Sequence, residues 1–306
     1  MATNTTAGTN FPPELVSEMF NAVRGHSALA RLCGAKPMPF AGVKEFTFSL
    51  DSEAEIVGEA AQKSPGEATI APVTITPIKF VYQHRVSDEF KYLAEEGQLP
   101  YLQAFADGFA RKIARGLDIA AFHGINPKAG TASTVVGTNH FDSKVSQTAA
   151  YTAGTTAADD VLDSAVQTVL GNERSVTGIA MSAIYGSYMA AIKANGLAVY
   201  PEFRFGQRPE SFAGMGLDVN PTVNKKISSA TSRDLAIVGD FANAFRWGYA
   251  KQIPLEVIEY GDPDGLGDLK RNNQVELRSE VYIGWGILDA SSFCRITDTV
   301  TAGQTS

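Results

Sequence analysis

Regular patterning begins at Pro12 and Pro13, which open a helical spacing through Leu15, Met19, Phe20 and Val23, proline being suited to a helix's first turn. Gly25 closes that run, and a second short apolar pair, Leu29 and Leu32, follows. An amphipathic arm of this kind must rest its apolar face on a surface, another subunit among the candidates. Phe46, Phe48 and Leu50 then alternate with polar neighbours, the period-two signal of a half-buried strand. Alternation returns over residues 70–86 in Ile75, Ile78, Phe80, Tyr82, His84 and Val86, with Pro72 and Pro77 interrupting. Residues 58–67, rich in Gly, Ala, Glu and Pro, read as the tip between them. The pattern predicts a long two-stranded hairpin. Prolines belong at sheet edges and an isolated hairpin is only marginally stable in water, so this one needs a surface, either its own domain or a partner.

Pro100 opens the strongest helical pattern: Leu102, Phe105, Phe109, Ile113 and Leu117 recur at three- and four-residue spacing, with Ala106, Ala110 and Ala120 beside them. Asp107 and Arg111 stand at i,i+4, and Gly124 sits where a helix C-terminal glycine would. Residues 124–156 are rich in Gly, Thr, Ala and Ser, a long loop or short-strand region that suits a boundary between units. Residues 159–170 are helical, with Val161, Leu162, Ala165, Val166 and Val169 on one side. Residues 178–181 read as a short strand, and Ser182 caps a helix running towards Asn195-Gly196. Residues 235–238 form a buried-type strand ending in Gly239-Asp240-Phe241, and residues 253–260 and 275–288 are strands joined by a polar turn at 261–273. Helices followed by locally pairing strands indicate an α+β fold.

Composition narrows the chemistry. With 44% hydrophobic and 19% charged residues among 306, the chain can bury roughly two folded units. A formal charge of −7 argues against tight, sequence-independent nucleic-acid binding, although an acidic wall can still enclose DNA without sticking to it. Cys33 and Cys294 lack C-x-x-C spacing, so they read as small buried hydrophobes in a reducing cytoplasm, with no disulfide or zinc framework. Residues 1–10 are small, polar and uncharged, unlike a secretory signal, and the apolar stretch at residues 281–288 is too short to span a bilayer. The histidines (His26, His84, His123, His140) make no metal spacing, and no G-x-S-x-G elbow occurs. Gly214-Met215-Gly216 lacks the third glycine of a dinucleotide loop and reads as a turn. Asp262-Pro263-Asp264-Gly265 lacks the twelfth-position acid of a calcium loop and reads as a solvated turn. Arg111, Lys112 and Arg115 form a basic face, solvated or salt-bridged in the simplest reading. No catalytic set, metal set or cofactor loop emerges, so the expectation is a protein that is not an enzyme.

The order of these features (arm, long hairpin, long helix, α+β unit, closing strand pair) resembles the Hong Kong 97 fold of tailed-bacteriophage major capsid proteins. Local motifs carry the resemblance. Arg85-Val86-Ser87-Asp88-Glu89-Phe90 is similar to the run from hairpin back to body. Ile113-Ala114-Arg115-Gly116-Leu117-Asp118 with His123-Gly124 is similar to the end of the spine helix, and residues 124–137 to the glycine-spaced loop after it. Gly239-Asp240-Phe241 matches the Gly-Asp-Phe turn. The segment Asn273-Gln274-Val275-Glu276-Leu277-Arg278-Ser279-Glu280, then Gly284 and Ala290 to Phe293, resembles the closing segment. A proline common before the closing Ala-Phe is replaced here by Asp289-Ala290-Ser291.

The resemblance implies an N-terminal arm (1–35), an extended loop (46–84), a peripheral domain with a spine helix (36–45, 85–153 and 249–287) and an axial domain (154–248 and 288–306). It implies pentamers and hexamers of one chain, closed into an icosahedral shell around double-stranded DNA without sequence-specific binding. It further implies a virion protein assembled in the host bacterial cytoplasm with a portal, and, since the arm starts near Met1, a separate scaffolding protein or none. Inter-subunit contacts would fall at Leu15, Met19 and Phe20 in the arm, Glu59, Lys63 and Glu67 in the loop, and Arg111 and Arg115 in the spine helix. Some relatives cross-link through a Lys–Asn isopeptide bond helped by a Glu. Lys63, Asn273 and Glu280 are the matching positions, against a simpler reading in which Asn273 ends a turn and Glu280 pairs with an arginine. An encapsulin-type nanocompartment of the same fold is the alternative.

Overall fold

The computed structural model describes residues 27–50, 53–89, 95–224 and 233–298. The arm residues Leu15, Met19 and Phe20 lie outside them. The second apolar pair does not wait for a neighbour. Helix α1 (Ala28–Leu32) buries Ala28, Leu29 and Ala30 in the chain's own core, with Cys33 beside them. The Cys33 carbonyl there accepts from Trp247 Nε1 at 2.7 Å.

The hairpin expectation divides at Pro77. Strand β1 (Val43–Leu50) pairs antiparallel with β2 (Ala68–Ile75), Val43 opposite Ile75 and Leu50 opposite Ala68. Strand β3 (Ile78–Ser87) turns away from β1 and becomes an edge of another sheet. Pro77 offers no N–H to continue a ladder, which is why one alternating run yields two strands with different partners. Helix α2 (Glu95–His123) opens five residues before Pro100, a proline this close to the helix's free end forfeiting one backbone bond only. Phe109, Ile113, Leu117 and the intervening alanines face inward, while Arg111, Lys112 and Arg115 face solvent. Asp107 and Arg111 are both exposed and make no ion pair. The helix stops at Gly124 (φ +65°), whose N–H bonds the Ala120 carbonyl at 2.9 Å.

A short helix α3 (Phe141–Lys144) and strand β4 (Thr148–Tyr151) lead into α4 (Ala158–Gly171), β5 (Gly178–Met181) and α5 (Ala183–Ala191). Ser182 caps α5 as expected, accepting from Tyr185 N at 3.2 Å. Helix α5 ends earlier than its periodicity suggested. Asn195 and Gly196, both at positive φ, make the two-residue turn between β6 (Lys193–Ala194) and β7 (Leu197–Ala198). Strands β8 (Ser211–Phe212) and β9 (Met215–Val219) meet at a turn through Gly214, and β10 (Arg233–Gly239) follows. Strand β11 (Phe245–Ile258) begins eight residues before its expected start, because Phe245, Trp247 and Tyr249 already alternate. It pairs with β12 (Gln274–Ile287), and the chain's last described strand is β13 (Phe293–Asp298).

Two hydrophobic cores share a wall. The three-stranded sheet β11-β12-β3 packs Val275, Leu277, Val281, Ile283 and Trp285 against α2. The six-stranded sheet, ordered β4-β13-β10-β5-β9-β8, packs α4 and α5 on its other side. Its strands serve both: Ala180, Ile237 and Phe293 face the first core, whereas Ile179, Met181, Val238, Cys294 and Ile296 face the second. Burial on both faces explains the continuous apolar run at 235–238.

Candidate interaction surfaces and a buried polar junction

The β1–β2 hairpin is anchored at its root and open beyond it. Ile75 is fully buried, its side chain filling the space over Gly284 and Gly286 of β12, and Arg246 of β11 makes an ion pair with Glu45. Farther out the register sets Phe46 opposite Pro72 and Phe48 opposite Ile70. Alternation places these four positions on one face. On that face Phe46 is 66% exposed and Ile70 63%. Residues 53–67 are exposed throughout, and they carry Glu53, Glu55, Glu59 and Glu67 against the single cation Lys63. The loop tip is thus acidic and the helix face at Arg111, Lys112 and Arg115 basic. Leu197, Val199 and Phe205 are exposed as well.

Two of the three cross-link candidates have partners within the chain. Asn273 ends the 261–273 turn at φ +51°, its carbonyl accepting from Asp88 N at 2.9 Å. Glu280 pairs with Lys79 at 2.7 Å, a lysine where the sequence suggested an arginine. Lys63 stands in the exposed tip. The acidic turn is filled by a side chain of the protein itself. Arg85 donates from Nε to Asp264 at 2.8 Å, from Nη1 to Gln274 at 3.1 Å, and from Nη2 to Asp262, Asp264 and the Gly267 carbonyl. A guanidinium therefore sits where a calcium loop would hold its ion. Those hydrogen bonds also hold the Asp264 carboxyl below the usual carboxylate range.

The Gly-Asp-Phe motif has a complete physical account. A β-carbon at Gly239 would overlap the Ser292 carbonyl and the Phe293 ring, so only glycine lets β10 and β13 close up there. Asp240 accepts from Ser175 Oγ (3.0 Å), Thr177 Oγ1 (3.1 Å) and Asn243 N (3.2 Å). Burial would raise its carboxyl, but hydrogen bonds from Asn243, Ser175 and Thr177 outweigh it and hold the group low. Phe241 is fully buried, packed on Phe141 and Phe293.

A chain of buried polar groups runs beneath the wall, and sequence reasoning did not find it. Asp118 of α2 is fully buried and accepts from Ser27 Oγ, Ala28 N (2.9 Å), Leu29 N (3.3 Å) and Thr222 Oγ1 (2.8 Å). It caps α1 from another helix, satisfying donors that α1 cannot satisfy alone. Burial pushes its carboxyl up to about 6 against the pull of these donors. The Thr222 carbonyl accepts from His123 Nε2 at 3.0 Å, so the ring's other nitrogen, Nδ1, faces Asp142 at 3.1 Å and Asp234 at 3.9 Å. Arg295 of β13 closes the group, 3.0 Å from Asp234 and 3.6 Å from Asp142. Among the described residues, His123, Asp142 and Asp234 are the set whose donor atoms approach within 4.8 Å, the spacing a metal would need. The Arg295 guanidinium already supplies positive charge there. Asp118 and His123-Gly124, in the run that resembles the end of a spine helix, were the only traces of this junction in the sequence. Its other members are scattered between Ser27 and Arg295 and follow no spacing.

Against proteins already known, residues 70–296 match the family model described as "Phage capsid protein", 227 of the 306 residues. A solved structure from Mycobacterium phage Ogopogo is similar at TM-score 0.76 and 36% identity, covering 89% of this chain and 92% of that one. One from Gordonia phage Cozz is similar at TM-score 0.74 and 27% identity, covering 90% and 87%. A structure titled "Capsid of native GTA particle computed with C5 symmetry" shares the fold at TM-score 0.62 and 15% identity, over 89% and 90%. No curated protein matches the sequence.

Proposed function

The chain belongs to the phage capsid protein family, and from that premise we propose that it is the major shell subunit of a tailed-phage head. It builds pentamers and hexamers of one chain, closed into an icosahedral shell around double-stranded DNA. The observation that carries this reading is the hairpin. Its root is locked to the body, whereas Phe46 and Ile70 lie bare on one face and the tip is acidic. Leaving two large apolar side chains in water forgoes about 1.5–3 kcal/mol each, which a neighbouring copy recovers by covering them.

The hairpin, paired over 43–50 and 68–75, is the gripping part of the extended loop at 46–84. We assign 36–45, 85–153 and 249–287 to a peripheral domain around the first core, and 154–248 and 288–306 to an axial domain around the second. We place Leu15, Met19 and Phe20 of the arm, residues 1–35, on a neighbouring copy, with the arm rooted through α1 in the core of its own chain. Glu59 and Glu67 of one copy face Arg111 and Arg115 of the next, complementary charges that set register more than affinity. Assembly takes place in the host cytoplasm, with a portal. An encapsulin-type shell is not favoured, since the family match and the similar structures point to phages.

Charge exchange tests the pairing. Arg111→Glu with Arg115→Glu is expected to stop shell formation in a folded protein, and adding Glu59→Arg with Glu67→Arg to restore it. Wild-type shells from the first double variant would remove the proposed contact.

A further inference from the structure

Counted over the described residues, the buried cluster of His123, Asp142, Asp234 and Arg295 carries one negative charge in excess. With a neutral imidazole it holds two carboxylates against one guanidinium, a net −1 in a site where Asp234 is 1% exposed and His123 5%. An unbalanced buried charge is costly, and the cheapest remedy is uptake of a proton. A divalent cation would overshoot to +1 beside a guanidinium that cannot give up its own charge.

We propose that His123, Asp142 and Asp234 share one proton, and that this proton fastens α2 to the wall between the two cores. The geometry suits it. His123 Nε2 donates to the Thr222 carbonyl, which fixes the ring and turns Nδ1 towards Asp142 and, farther off, Asp234. The charged and titratable groups facing the proton come from four elements: His123 from α2, Asp142 from α3, Asp234 from β10 and Arg295 from β13. Thr222 links this group to Asp118 and so to α1. The shared proton therefore sits where the root of the arm, the long helix and the two-faced sheet meet.

The expected direction follows from Asp234, whose carboxyl is pushed up to about 7, by burial first and then by Asp142. A group raised in the folded state stabilises fully below its unfolded value of 3.8 and loses that contribution as pH rises through about 7.

Thermal unfolding of the purified full-length chain from pH 5 to pH 8, beside Asp234→Asn, tests the idea. Asparagine keeps the shape and removes the titration. The wild-type midpoint should fall by about 5 °C more than the variant's over that range. Parallel profiles would overturn the proposal. So would a rise of the wild-type midpoint on adding manganese or zinc, which would make the cluster a metal site. Should the variant fail to fold, the carboxyl carbon shift of Asp234 in the wild-type chain reads the same event. One protonation step between pH 5 and 8 is expected, and its absence would overturn the proposal.

Discussion

The hairpin β1–β2 and the wall strands β10 and β13 are made of similar residues and meet opposite fates. In the wall, Ile237 faces one core and Val238 the other, and neither touches water. In the hairpin, one face is closed at its root by Ile75 and the other leaves Phe46 and Ile70 exposed. The difference lies in what the chain packs against each strand. The wall has α2 on one side and α4 and α5 on the other, whereas the outer hairpin face has nothing from its own chain upon it among the described residues. Apolar residues in the wall hold the subunit together. In the hairpin, under the proposed function, they are kept for another molecule.

Substitutions should separate the two roles. The largest effect belongs to Phe293→Ala, which empties a fully buried site between Phe141 and Phe241 and should cost about 3–5 kcal/mol in denaturant unfolding. Asp118→Ala comes next. It strands the Ala28 and Leu29 amides and the Ser27 hydroxyl, and should cost about 3 kcal/mol. Because the Asp118 carboxyl is raised to about 6, its contribution weakens as pH rises through that value, so this penalty should be larger at pH 5 than at pH 8. Phe46→Ser with Ile70→Ser should change stability by no more than about 0.5 kcal/mol and yet remove assembly. The smallest effect concerns the cross-link. Glu280 is engaged by Lys79, so denaturing electrophoresis of assembled particles should give a single band near 32.6 kDa, and a ladder would reverse that reading.

Local patterns were legible and long-range ones were not. The strand at Gly178–Met181, the Ser182 cap and the glycine stop at Gly124 all follow from neighbours in sequence, and all stand in the structure. The hairpin was legible up to Ile75, where its two strands do pair, but not beyond Pro77, since alternation says nothing about which strand lies alongside. Pro77 was noticed as an interruption when it is the point where the sheets part. Arg85 and the acidic turn were read separately, although they form one unit across 179 residues. The junction of Asp118, His123, Asp142, Asp234 and Arg295 was invisible for the same reason. Each member looks like an ordinary polar residue until the fold buries it beside the others.

The central claim is that the hairpin's bare face is kept for a neighbouring copy. Electron microscopy of the purified wild-type chain and of the Phe46→Ser, Ile70→Ser variant tests it most directly. Closed shells from the wild type, and a variant that melts at the wild-type temperature yet forms none, are the predicted results. A variant that builds wild-type shells, or a wild-type chain that stays monomeric at every concentration, would contradict it.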